Sequence, residues 1–209
     1  MRLAHHPDLP LPLRVPTAAE PLRVLVSGCL AGLPCGVNGT DYGLGAVLRE
    51  LLALDVVKAI PFCPEESGMG TPRTMPDIHG GDGFDVVDGR ARVLDEHGSD
   101  LTEQMRLGAR NMLEHAQAHA VELAIVTDMS AACGSQVISR GCRLVERREF
   151  VAGVGVASAL LLRAGIPIVS QRDHRTLGRI RAHLDPRFVP DASAIDHHET
   201  DWYRSYFER

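Results

Sequence analysis

The sequence lacks the marks of several protein classes. It has no run approaching the roughly 18 apolar residues that a membrane-spanning helix needs. Its first stretch, "MRLAHHPDLPLPLRVPTAAEP", is broken by prolines and has no continuous apolar core, so it does not read as a signal peptide. An irregular arm is expected over 1–21, packed on the domain or on a partner. There is no basic excess: 22 Lys and Arg stand against 27 Asp and Glu, a net charge of -5. Nothing therefore signals strong nucleic-acid binding, and a small-molecule partner is favoured. There is no internal repeat and no C-x₂-C pair of the kind structural zinc sites use. The five cysteines are an odd number without a secretion signal. They argue against a disulfide framework and for the reducing cytoplasm.

What is present fits one domain of ordinary size, 209 residues and 44% hydrophobic. "LRVLVSG" (22–28), "VVKAIPF" (56–62), "VELAIVTD" (121–128) and "IPIVSQ" (166–171) are short apolar runs that read as buried strands. Leucines at helical spacing predict a helix over 44–54. Helices are also expected over 99–120, 153–165 and 174–184. Asp100, three residues before Glu103, has the spacing of a capping box, and Leu101, Met105, Ala109, Met112 and Ala116 line one face. The stretch 63–83 is rich in proline and glycine, and regular structure is not expected there. "FDVVDGRARVLD" (84–95) has a hairpin signal around Asp88-Gly89. The alternation predicts a single-domain α/β sandwich with a largely parallel sheet, a small inserted hairpin, an N-terminal arm and a C-terminal tail. The tail, 172–209, is expected to pack on the domain and carries a late aromatic cluster.

In open parallel sheets, ligand sites lie beyond the carboxyl ends of the strands. Cys29 follows the first expected strand, Cys63 follows the second, and Cys133 lies five residues beyond the third. Parallel strands would bring all three thiols to one crevice. Buried filler, a metal site, a redox site and a nucleophile all remain open on this pattern. An iron–sulfur cluster tolerates scattered thiolates, and one held by only three leaves an iron open. A cysteine-nucleophile transferase would need a histidine base nearby. The ten histidines fall mostly in the arm, the long helix and the tail, which gives it little support.

The segments "VLVSGCLAGLPCGVNG", "FCPEESGMGTPRTMPDIHGG", "GSDLTEQMRLGA", "SAACGS" and "GVGVASALLLRAGIPIVSQ" resemble the successive blocks of the DUF523 domain family, in the family's order, over roughly 22–171. That family includes thiouracil desulfidases, which use a 4Fe–4S cluster held by three cysteines. The resemblance implies Cys29, Cys63 and Cys133 as the metal ligands, with the fourth iron open to a substrate sulfur. The substrate it implies is a thiolated pyrimidine base or nucleoside such as 2-thiouracil. Two loops depart from the family pattern: "SAACG" stands where "SPSCG" is common, after Asp128-Met129, and "GVNGTDYG" stands where a shorter "RYDG"-like stretch is common.

A water that adds at the thiocarbonyl carbon needs a base. Glu65, two residues past Cys63, is the expected catalytic carboxylate, and Ser130, three before Cys133, the expected relay for water or a proton. Arg73 and Asp128 are the expected substrate contacts. His79 and the glycines opening the helix at 153–165 read as structural. Cys35 and Cys142 have no assigned role. A non-catalytic thiolate–metal module, zinc-stabilised or redox-sensing, is the competing reading.

Overall fold

The strand runs assemble as one sheet, seen in a computed structural model that describes residues 13–43 and 45–208. The first twelve residues of the expected arm and Leu44 of the expected helix lie outside the described residues. In chain order the elements begin β1 (Leu22–Ser27), α1 (Ala46–Leu52), β2 (Val57–Phe62), α2 (Pro64–Met69), β3 (Asp77–His79) and α3 (Gly83–Val87). Next come β4 (Arg92–Leu94), α4 (Thr102–Ala118), β5 (Leu123–Val126), β6 (Val137–Ser139) and β7 (Phe150–Ala152). The chain closes with α5 (Val156–Arg163), β8 (Ile168–Ser170), α6 (His174–Leu184), a 3₁₀ turn (His197–Glu199) and α7 (Asp201–Phe207).

The main sheet has the order β2-β1-β5-β8, and every neighbouring pair is parallel. Val24 and Val26 pack into one layer with Leu48 and Leu51 of α1 and Leu177 and Ile180 of α6. Leu25, between them, faces the other layer with Met105 and Met112 of α4 and Leu161 of α5. Burial on both faces is why these strands read as unbroken apolar runs instead of alternating ones. Pro61 is tolerated because β2 is an outer strand, where a missing N–H breaks no second ladder. The expected α/β sandwich with a parallel sheet is the observed fold.

The local expectations fare less evenly. The stretch 63–83 is not irregular: it contains α2 and β3. The expected 84–95 hairpin does not form. Its first half is α3, started by a capping box in which Asp82 accepts from the Phe84 and Asp85 N–H groups and Asp85 accepts from the Asp82 N–H. Its second half, β4, pairs antiparallel with β3 instead. The capping box expected at Asp100–Glu103 is also absent. Asp100 accepts from the Thr102 N–H, while Glu103 turns to Arg106. A second antiparallel ribbon, β6–β7, had no signal of its own.

One contact fixes α2 on α4. A Cβ on Gly108 would lie 1.9 Å from the Pro64 carbonyl oxygen, and one on Gly68 would lie 2.1 Å from that of Gln104. The two helices touch backbone to backbone, and only glycine permits it. That approach sets the start of α2, the segment that follows Cys63.

Candidate active site

Because β2, β1 and β5 are adjacent and parallel, their carboxyl ends share one edge. Beyond that edge lies a cavity of about 470 Å³, lined by Cys29, Cys63, Cys133, Glu65, Arg73 and Ser130 among others. Among the described residues every cysteine is a free thiol.

Cys29 leaves β1 into a turn, and its Sγ lies 3.1 Å from Thr127 Oγ1, at the end of the neighbouring strand. Cys63 is the N-cap of α2; its Sγ accepts from the Glu66 N–H at 3.4 Å. Cys133 sits in a turn tied by Ser130, whose Oγ accepts from the Ala132 and Cys133 N–H groups at 3.2 and 3.1 Å. The start of α5 supports that turn. A Cβ on Gly155 would lie 2.4 Å from the Ala132 carbonyl, so this glycine serves close packing. Burial raises the pKa of all three thiols, strongly for Cys133; the Thr127 bond opposes it at Cys29 and the Glu66 amide opposes it at Cys63. Cys35 is a fourth thiol on the same cavity. A Cβ on Gly28 would lie 3.2 Å from Cys35 Sγ and 3.3 Å from Cys63 Cβ, so Cys35, Cys63 and the backbone before Cys29 converge.

Glu65 is buried and joins two elements. Its Oε1 accepts from Ser130 Oγ at 3.2 Å, and its Oε2 accepts from Arg73 Nη2 at 2.6 Å and Nε at 3.2 Å. Arg73, an expected substrate contact, lines the cavity and is also held within the protein. Its other donors reach the Cys35, Gly70 and Thr71 oxygens, so all five N–H groups are committed, and its side chain is 5% exposed.

Asp128, the other expected contact, is also among the cavity residues. Its side chain is fully enclosed. Oδ1 accepts from the Ser135, Gln136 and Val137 N–H groups at 2.9–3.3 Å, and Oδ2 meets His197 Nδ1 at 2.6 Å. Burial would raise this carboxyl, but the His197 and amide bonds outweigh it and hold the pKa below its ordinary value. Asp128 fastens the loop after Cys133. Met129, next to it, has a left-handed φ of 61°, held by bonds from its N–H to the Val137 carbonyl and from Arg143 Nη1 to its own carbonyl.

Sequence reasoning did not single out Thr127, Arg143 or Arg172 as cavity residues; Tyr42 and Met129 lie in the two loops that depart from the family pattern. The signal for Thr127 and Met129 was their place at a strand end. His197 had no local signal, because its partner is far away in the chain. His79 and Cys142 do not line the cavity.

The fold and this geometry define an α/β sandwich with a thiol-lined crevice at the carboxyl edge of its sheet. The chain belongs to the 2-thiouracil desulfurase family, whose model matches residues 24–173. It is 35% identical to the uncharacterized protein YbbK of Bacillus subtilis (strain 168) over 151 residues, 72% of this chain and 96% of that one. It is also similar to a solved structure of the [4Fe-4S]-dependent thiouracil desulfidase TudS (DUF523Vcz). That likeness has a TM-score of 0.63 and 30% identity, and covers 75% of this chain and 95% of the other. Among the described residues no helix is long and apolar enough to cross a membrane.

Proposed function

We propose that this chain is an iron–sulfur-dependent desulfidase that removes sulfur from a thiolated pyrimidine base such as 2-thiouracil, through a 4Fe–4S cluster held by Cys29, Cys63 and Cys133. The observation that carries the reading is the convergence of these three thiols, from three adjacent strand ends, on one cavity that also holds the Glu65–Ser130 pair.

The donor set fits such a group. A tetrahedral zinc with Zn–S near 2.3 Å needs its sulfurs about 3.8 Å apart. Among the described residues, the one set of three His, Cys, Asp or Glu donors lying within 4.8 Å of one another is Asp173, Asp196 and His198. The cavity cysteines form no such set. This disfavours the zinc-module reading. When bound, the cluster supplies an iron with an open position, a Lewis acid suited to a soft thiocarbonyl sulfur.

The remaining work falls to the side chains. Glu65 takes a proton from the attacking water, and Ser130 Oγ, bonded to Glu65 Oε1, holds that water or returns the proton. Arg73 keeps Glu65 oriented without touching the base. Tyr42, Met129 and Arg172 line the cavity and are left to contact the ring. One C–O bond forms, one C–S bond breaks and sulfide leaves, so the net change is a hydrolysis with no electron transferred.

The test is anaerobic preparation with iron and sulfide analysis, followed by assay of sulfide release from 2-thiouracil, other thiolated bases and nucleosides. Brown protein with about four irons per chain and sulfide release is expected. Alanine at Cys29, Cys63 or Cys133 abolishes both. Full activity in a colourless, iron-free preparation overturns the reading.

A further inference from the structure

The family match ends at residue 173, and 151 aligned residues take in 96% of YbbK. Most of the chain outside that match therefore has no counterpart in that relative. Part of it nonetheless reaches the candidate site. His197 is 3% exposed. Its Nδ1 meets Asp128 Oδ2 at 2.6 Å, and its backbone N–H donates to Asp173 Oδ1 at 3.1 Å. The ring of Trp202 lies parallel to the imidazole at 5.5 Å, and Tyr203 meets it edge-on at 5.8 Å.

The other oxygen of Asp128 holds three successive amides, 135 to 137, directly after Cys133. The third of these begins β6. Its partner strand β7 is held by the tail as well: Phe150 N–H donates to the Tyr206 hydroxyl at 2.8 Å, and the Phe150 ring packs edge-on against Trp202. The tail thus grips the Cys133 loop at Asp128 and the ribbon that continues it at Phe150. Asp173 completes the same knot by accepting from Gln136 Nε2 at 2.8 Å through both oxygens.

We propose that His197 is a positioning residue for the Cys133 loop: by holding Asp128 it keeps the 133–137 segment closed and Cys133 turned to the cavity, so that cluster retention depends on the added tail. The part concerning the cluster rests on the function proposed above; the ordering of the loop does not. His197 touches neither substrate nor cavity, and it acts only through Asp128.

The experiment uses the full chain, iron-free and iron-loaded, as wild type, His197→Ala, His197→Asn and Trp202→Leu. Asparagine places an N–H close to where Nδ1 stands. Two readings on the iron-free protein need no cluster: hydrogen exchange of amides 135–137, and alkylation of Cys133 by iodoacetamide followed by mass spectrometry. His197→Ala is expected to speed both by about tenfold or more through local opening, with α4 amides unchanged. His197→Asn stays within about threefold of wild type, and Trp202→Leu falls between the two. In the loaded protein, His197→Ala loses iron faster to a chelator. Unchanged exchange and alkylation in folded His197→Ala overturn the inference, as does an equal rise at α4. If His197→Ala does not fold, wild-type rates in Trp202→Leu overturn it. Wild type that takes up no iron defeats the proposed function, and the exchange and alkylation readings still decide this one.

Discussion

Gly108 of α4 and Pro64 of α2 meet with no room for a methyl group between them: a Cβ on Gly108 would lie 1.9 Å from the Pro64 carbonyl oxygen. The contact sets where α2 begins, and with it Cys63 and Glu65. In an isolated helix, Gly108→Ala would add about 1 kcal/mol of stability. Here overpacking costs about 1–3 kcal/mol or more. A fall in thermal midpoint together with lower iron content is expected; a more stable variant with normal iron would refute the role given to this contact.

Glu65→Gln keeps the shape and loses the proposed base. It is expected to retain the iron and visible absorption of wild type while sulfide release falls by roughly 10²–10⁴-fold. Ser130→Ala also removes the acceptor for the Ala132 and Cys133 amides. Loss of that cap costs about 0.5–2 kcal/mol, so this variant should lose stability as well as turnover, as a urea titration beside the assay will read.

Arg73→Lys is not a conservative change, because lysine offers three donors where all five of the guanidinium are in use. Arg73→Met leaves Glu65 buried without its partner, at a cost of about 3–5 kcal/mol. Since Arg73 is held to Glu65 within the protein, the lysine variant should lose kcat with KM little changed. A raised KM at constant kcat would instead return Arg73 to the substrate.

The pH dependence of stability has a defined sign at Asp128. Its carboxyl lies below its ordinary value of 3.8. A depressed carboxyl stabilises the fold fully above its unfolded pKa, and the contribution is lost as pH falls through the folded value. The ionisable groups facing it are His197 of the 3₁₀ turn, Tyr203 of α7 and Asp173 before α6. Asp173 runs the other way, because burial raises its carboxyl. The difference in urea midpoint between wild type and Asp128→Asn should be largest near neutrality and shrink below about pH 4. A difference that grows with acid would contradict this account.

The sheet was legible because buried parallel strands leave unbroken apolar runs, and Cys29, Cys63 and Cys133 could be put at its edge by topology alone. The short elements were not legible. α3 is set by one side-chain cap at Asp82, and β4 is set by pairing with β3 on the far side of α3; the Asp88-Gly89 turn signal outweighed both in a local reading. Arg73 and Asp128 do line the cavity, but the sequence gave no sign of the protein partners that each also holds. Residue type shows that a side chain can bind a ligand; only the structure shows that its donors or acceptors are already taken. His197 marks the limit of local reading, since nothing near it in the chain indicates Asp128.

The three cysteines follow three separate strands, and this fixes an order of events. No short peptide from this chain contains two of them at metal-binding spacing, so a metal cannot nucleate the fold as it does in small zinc domains. The sheet has to form first and wait, thiols protonated, as a finished vessel. Under the proposed function, whatever delivers iron and sulfide would meet a folded recipient, and biogenesis of the holoprotein would be a matter of access to the crevice instead of chain collapse around an ion.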